Sequence, residues 1–194
     1  MTRIVAGAAR GRRLAVPPRG TRPTSDRVRE ALFSALDAVV GLDGTTVLDL
    51  YAGTGALGLE ALSRGAAAAV LVESNRSALD VLRRNIGTVD LPGATVLPGS
   101  VATVLAKATP VRCDVVLADP PYAATDEELA AVLTALVEHG WLAPDATVVL
   151  ERPTKVGPPH WPAALEPGAV RRYGDTALHW ADHRSDHRGE HRPE

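Results

Sequence analysis

Asp119-Pro120-Pro121-Tyr122 is the segment whose residue types point most directly to chemistry. It follows Asp114-Val115-Val116-Leu117-Ala118, an apolar run with strand character. That places it at a strand's carboxyl end, where ligands bind in open parallel sheets. The consecutive prolines Pro120 and Pro121 fix φ and hold the loop's carbonyls and the Asp119 carboxylate in set directions. An amino group on an aromatic base is a weak nucleophile because its lone pair is delocalised into the ring. Asp119 and the Pro120 carbonyl can accept its two N–H bonds, directing the lone pair outward and stabilising the positive charge that develops on nitrogen. Tyr122 can stack on a base withdrawn from its helix or loop. A rigid proline turn is the bland alternative, and the chemistry alone reaches only "amino group on a planar acceptor".

A second constellation lies upstream. Val47-Leu48-Asp49-Leu50 runs into Tyr51-Ala52-Gly53-Thr54-Gly55-Ala56-Leu57-Gly58 and then a helical pattern. Glycines there let the chain turn and a ligand approach the main chain, beside the free N–H groups of a helix start. Gly53-x-Gly55-x-x-Gly58 also matches the dinucleotide fingerprint, so a nicotinamide or flavin enzyme has to be weighed. Asp49 favours S-adenosyl-L-methionine instead. A carboxylate at the strand end meets the ammonium of that cofactor's methionine but repels a pyrophosphate. Glu73, with Ser74 beside it, is placed to accept from ribose hydroxyls in either cofactor class. Tyr51, Ala52, Gly53 and Gly55 line the expected cofactor loop. After a third strand, Ser100 and Val101 are placed to hold an adenine, an inference from position alone. No metal is expected: the three histidines of the C-terminal tail could bind one at helical spacing, but the segment reads as a polar tail.

These residues need a scaffold, and the pattern supplies one. Strands are expected at 46–50, 69–73, 95–97, 114–118 and 147–151, alternating with helices at 56–64, 76–86, 101–108 and 127–139. Segments 169–173 and 177–181 can close the sheet as an antiparallel pair. The reading is a doubly wound α/β domain, a Rossmann-like methyltransferase sheet, over residues 42–181. Residues 1–41 form an extension: a β-hairpin of 3–7 and 12–16, a link with Pro17, Pro18, Gly20 and Pro23, and a helix capped by Thr24 or Ser25.

The net charge of −2 conceals an uneven distribution. Eight arginines fall within residues 1–29 against a single acid, Asp26. A basic arm on a slightly acidic body implies an anionic partner, with Arg10, Arg12, Arg13 and Arg22 as phosphate contacts. One cysteine, Cys113, excludes an intramolecular disulfide; lying away from the ligand-bearing end, it is a poor nucleophile for carbon methylation. Neither a signal peptide nor a membrane span is legible, so a cytoplasmic protein is expected. Residues 182–194 repeat an acid-His-Arg unit and read as a disordered polar tail.

The chain resembles the RsmD-type family of bacterial small-subunit ribosomal RNA guanine-N2 methyltransferases. The resemblance is carried by Arg3–Gly7 with Arg10–Leu14, by Thr21–Thr24 with Asp26–Phe33, by Leu48–Gly65 and by Asp119–Tyr122. It spans about residues 3–181, and its amino-terminal signature is the specific part, since the other motifs are shared by many methyltransferases. It implies a class I methyltransferase fold and a monomer. The implied substrate is one guanine of 16S ribosomal RNA, naked or in a partly assembled small subunit. Tyr51, where broader patterns often have glycine, is ordinary in this family. Rival readings are a DNA adenine-N6 or cytosine-N4 methyltransferase, a glutamine-amide methyltransferase, and a non-catalytic RNA-binding assembly factor.

Overall fold

The computed structural model describes residues 2–17, 26–107, 109 and 111–184. Among them, seven strands form one sheet. Five are the expected alternating strands: β3 (Thr46–Leu50), β4 (Ala68–Glu73), β5 (Ala94–Pro98), β6 (Cys113–Ala118) and β7 (Leu142–Pro153). The sheet order is β5-β4-β3-β6-β7-β9-β8, with β8 (Leu165–Tyr173) and β9 (Thr176–His183) antiparallel at one side and the other pairings parallel. The order reverses between β3 and β6, so the carboxyl ends of these two strands open onto one crevice. Asp49 is the penultimate residue of β3, and Asp119 directly follows β6.

Helices cover both faces. α1 (Asp26–Val39), α2 (Ala56–Ser63) and α3 (Arg76–Val89) bury Phe33, Leu59 and Leu82 in one apolar cluster with Val47 and Leu71. α4 (Val101–Leu105) and α5 (Asp126–Glu138) build the other, around Leu105, Val116, Leu133 and Leu150. The central strands β3 and β6 bury both faces, which is why their sequences are apolar runs rather than alternations. α5 starts with a capping box in which Thr125 and Glu128 each accept the other's backbone N–H.

Several elements differ in extent from the sequence reading, β8 beginning at Leu165 rather than at residue 169 and α4 ending at Leu105 rather than at 108. β7 begins five residues before the expected Thr147, with a register shift between Cys113 and Val115 on β6. Cys113 thus lies within β6, fully buried, and burial pushes its thiol up to about 12. β9 runs through His183, and Thr147 donates to the Asp182 carboxylate at 2.9 Å, so two residues assigned to the polar tail complete the sheet. Residues 185–194, and Thr24 and Ser25 of the expected helix cap, lie outside the described residues.

The N-terminal hairpin is shorter than expected, with β1 (Thr2–Arg3) antiparallel to β2 (Arg13–Leu14). Its Ile4, Ala9 and Leu14 are buried in the α1–α2–α3 cluster, so the arm shares the main core. Polar contacts fix it on α2. Glu60 accepts from the N–H of Val5 at 2.7 Å and of Ala6 at 3.0 Å. Ser63 Oγ accepts from Ala9 N–H at 2.9 Å, and the Ser63 carbonyl accepts from Ala8 N–H at 2.7 Å.

Gly7, at φ +82°, lies so close to this helix end that an added Cβ would stand 1.7 Å from the Ser63 carbonyl oxygen. Neither atom can yield, because one is helix backbone and the other is fixed by a left-handed turn. Gly7→Ala is expected to destabilise the protein by more than about 2 kcal/mol and to expose the arm to protease. Thermal unfolding and limited proteolysis check this; a variant with unchanged melting and cleavage would refute the docked arm.

Candidate active site

Asp49 is 1% exposed and accepts from the Gly58 N–H at 2.8 Å, which ties the end of β3 to the first turn of α2. Burial pushes its carboxyl up from 3.8 to about 7; the Gly58 N–H opposes that shift, and the charges of Asp119 and Glu73 add to it. Because β3 pairs in parallel with both β4 and β6, Asp49, Glu73 at the end of β4 and Asp119 just beyond β6 lie along one carboxyl edge of the sheet. Gathering negative charge in this way disfavours a pyrophosphate and suits a ligand carrying ammonium and sulfonium groups. The donor set thus fits S-adenosylmethionine better than a dinucleotide.

Glu73 ends β4 and organises the neighbouring turns. It accepts from Gly53 N–H at 2.8 Å, from Ser74 N–H at 2.8 Å and from Asn75 N–H at 2.7 Å. Gly53 and Gly55 both take positive φ, and Gly55 is the N-cap of α2. A Cβ on Gly53 would meet nothing closer than the Tyr51 carbonyl at 3.9 Å, so the loop there faces open space. Tyr51 itself has φ +62°, the region that favours glycine. Its side chain packs partly buried against the α4–α5 cluster. Ala52 is buried, and its N–H donates to the Val72 carbonyl at 2.9 Å.

The third expected part of the cofactor site looks different. Ser100 is the N-cap of α4, its hydroxyl accepting from Thr103 N–H at 3.2 Å and donating to Thr103 Oγ1 at 2.7 Å. Val101 is buried in the core. Helix capping and core packing thus account for both side chains.

Asp119, Pro120, Pro121 and Tyr122 line an open pocket. Tyr122 is 78% exposed, an aromatic face presented at the rim. The opposite wall was not legible in the sequence. It consists of Glu151 and Arg152 from β7 and of Asp175 and Thr176 from the β8–β9 turn. Arg152 is buried, pairs with Asp126 at the start of α5 and donates to the Gly157 carbonyl at 2.9 Å. It ties β7 to the start of α5.

The basic arm divides by environment. Arg10 and Arg13 face solvent. Arg12 donates to the Thr88 carbonyl at 2.8 Å and to that of Val89, at the C-terminus of α3, where a cation complements the helix dipole. Arg29, counted with the arm's positive charge, is fully buried and pairs with Asp26 at 3.0 Å and Glu60 at 3.7 Å. Arg22 lies outside the described residues.

A family model described as "Conserved hypothetical protein 95" matches residues 2–182. The chain is 42% identical over 163 residues to the ribosomal RNA small subunit methyltransferase D of Escherichia coli K12, covering 83% of this chain and 79% of that one. It belongs to the RsmD-type family. Another RsmD-type relative, from Haemophilus influenzae, is 37% identical over 153 residues, 77% of each chain. Among solved structures, the Escherichia coli methyltransferase candidate yhhF superposes with a TM-score of 0.84 at 35% identity, covering 94% of this chain and 97% of that one. A magnesium protoporphyrin IX methyltransferase from Synechocystis, solved with bound S-adenosylmethionine, shares the fold at a TM-score of 0.63 and 17% identity, covering 86% of this chain and 87% of its own. By kinship and fold, this RsmD-type chain is a methyltransferase.

Proposed function

We propose that the protein methylates the exocyclic N2 of one guanine in 16S ribosomal RNA, free or in a partly assembled small subunit, as a cytoplasmic monomer using S-adenosyl-L-methionine. The observation that carries this reading is the adjacency, on one sheet edge, of the carboxylates Asp49 and Glu73 and the Asp119–Tyr122 pocket. The names of its relatives supply ribosomal RNA as the substrate class. Bound S-adenosylmethionine supplies an electrophilic methyl on a sulfonium. Asp49 takes the ammonium of its methionine part, Glu73 with Ser74 the ribose, and the backbone from Tyr51 to Gly55 the remaining face; the Ser100–Val101 turn borders the adenine. Asp119 and the Pro120 carbonyl accept the N–H bonds of the amine, Pro121 stiffens the turn, and Tyr122 stacks on the base. Arg10 and Arg13, with Arg22, contact phosphates. Arg12, held by α3, positions that surface.

Labelled methyl transfer to immature small subunits, followed by mass mapping of the modified nucleoside, tests the reading. N2-methylguanosine is expected; methylated adenine or cytosine, or no transfer, would overturn it.

The raised Asp49 carboxyl gives a pH signature. Its folded value lies above its unfolded one, so between about pH 4 and 7 the folded state holds a proton that the unfolded chain has released, and this group's contribution to stability falls as pH rises through that window. Cofactor binding runs the other way, because the ammonium needs the ionised form. Affinity for S-adenosylhomocysteine is expected to rise about tenfold from pH 6 to pH 8, and Asp49→Asn to abolish that slope. Calorimetric titration across this range reads both; a flat wild-type profile would remove Asp49 from ammonium binding.

A further inference from the structure

Asn85, on α3, is 1% exposed, and its amide joins the N-terminal arm to the cofactor loop. Its carbonyl accepts from Ala15 N–H at 2.8 Å; its NH2 donates to the Ala15 carbonyl at 3.0 Å and to the Thr54 carbonyl at 2.9 Å. Both N–H bonds are thus used, one on each segment, by a single planar group. Ala15 directly follows β2 and leads out of the arm. Thr54 lies between the positive-φ residues Gly53 and Gly55, in a loop whose backbone is otherwise secured by Glu73 on Gly53 N–H and by a Gly55 N–H bond to the Ala52 carbonyl at 2.7 Å.

We propose that Asn85 is a positioning residue that couples RNA held on the arm to the cofactor loop, so that each ligand strengthens binding of the other. The inference rests on the reading of the arm as an RNA contact. Because the amide is rigid, a displacement of Ala15 rotates it and moves the donor that orients Thr54. The other arm contacts serve a different purpose: Glu60 and Ser63 hold residues 5–9 on α2, and Arg12 binds the end of α3. None of those hydrogen bonds reaches the loop. Asn85 bonds to both, and linkage makes any coupling through it reciprocal.

The test titrates S-adenosylhomocysteine into full-length wild type, Asn85→Ala and Asn85→Asp, each with and without a 16S ribosomal RNA transcript. RNA is expected to tighten wild-type binding by about fivefold to tenfold, and to change it by less than about twofold in either variant. A purely structural role would lower the melting temperature and leave that ratio intact. A wild-type ratio near one, or an unaltered ratio in the variants, overturns the proposal. Should the variants fail to fold, hydrogen exchange at Gly55 in the wild type decides: RNA is expected to slow it, and unchanged exchange overturns the coupling. Methyl transfer by the wild type to immature subunits is measured alongside. Its absence defeats the proposed function, whereas transfer with uncoupled binding defeats this inference alone.

Discussion

Asp119→Ala is expected to lower methyl transfer about a thousandfold while leaving the protein folded and able to bind S-adenosylhomocysteine. Asp119 is partly exposed at the pocket, just beyond the end of β6, so its removal opens no core cavity. Its charge helps keep the Asp49 carboxyl protonated, so removing it favours the ionised Asp49 and does not weaken the cofactor's ammonium site. The loss therefore falls on the step in which positive charge develops on the acceptor nitrogen. Asp119→Asn keeps an acceptor oxygen without the charge and should retain more activity than Ala. Single-turnover transfer of labelled methyl, with cofactor affinity measured separately, checks the prediction. A rate within tenfold of wild type for Asp119→Ala would show that this carboxylate does not support the reaction.

Glu60→Ala is the substitution expected to cost most in stability. The carboxylate is fully buried and accepts from Val5 N–H, from Ala6 N–H and from Arg64 Nε at 2.9 Å, with Arg29 Nε at 3.7 Å. Truncation strands two backbone donors and leaves Arg29, whose side chain is 1% exposed, with only the partly exposed Asp26 as a counter-charge. Removing one partner of a buried ion pair costs about 3–5 kcal/mol. For a chain of this size that corresponds to a melting temperature lower by about 10 °C. Below that melting point the variant should bind S-adenosylhomocysteine yet bind RNA weakly, because the arm loses its anchor. Calorimetric melting and filter binding separate the two effects. A loss below about 1 kcal/mol would mean that the network is dispensable.

The alternating part of the fold was legible because each strand is a short apolar run and each helix carries its own start or stop. β3 has the expected bounds, and α2, α3 and α5 differ from expectation only at their ends. Asp49, Glu73 and the Asp119–Tyr122 turn were legible for a related reason: the parallel topology places strand ends on one edge whatever the side-chain detail. The arm's attachment was hidden. Glu60 and Ser63 read as ordinary polar positions on α2, although two polar side chains within the otherwise apolar Ala56–Ser63 helix were a usable signal. Arg29 had the appearance of one more surface charge, and only the tertiary arrangement shows it buried between two acids. The antiparallel closing pair was expected, but the placement of β9 beside β7, which brings Asp175 and Thr176 to the pocket wall, depends on pairing over long sequence separation that local pattern does not encode. Ser100 was read from position, and its helix-capping bond is the kind of local alternative that position cannot distinguish.

The sheet order carries a consequence for synthesis. β9 is the last strand described, yet it lies between β7 and β8, pairing with both. While the nascent chain still lacks residues 176–183, β7 keeps an unsatisfied outer edge and β8 has no neighbour. The Asp119–Tyr122 pocket also lacks one wall, because Thr176 begins that strand. The ribosome must therefore release nearly the whole domain before the sheet can close, and until then an apolar β7 edge invites pairing with other chains. A truncated or stalled product ending before Thr176 would be left with neither a finished sheet nor a complete Asp119–Tyr122 pocket.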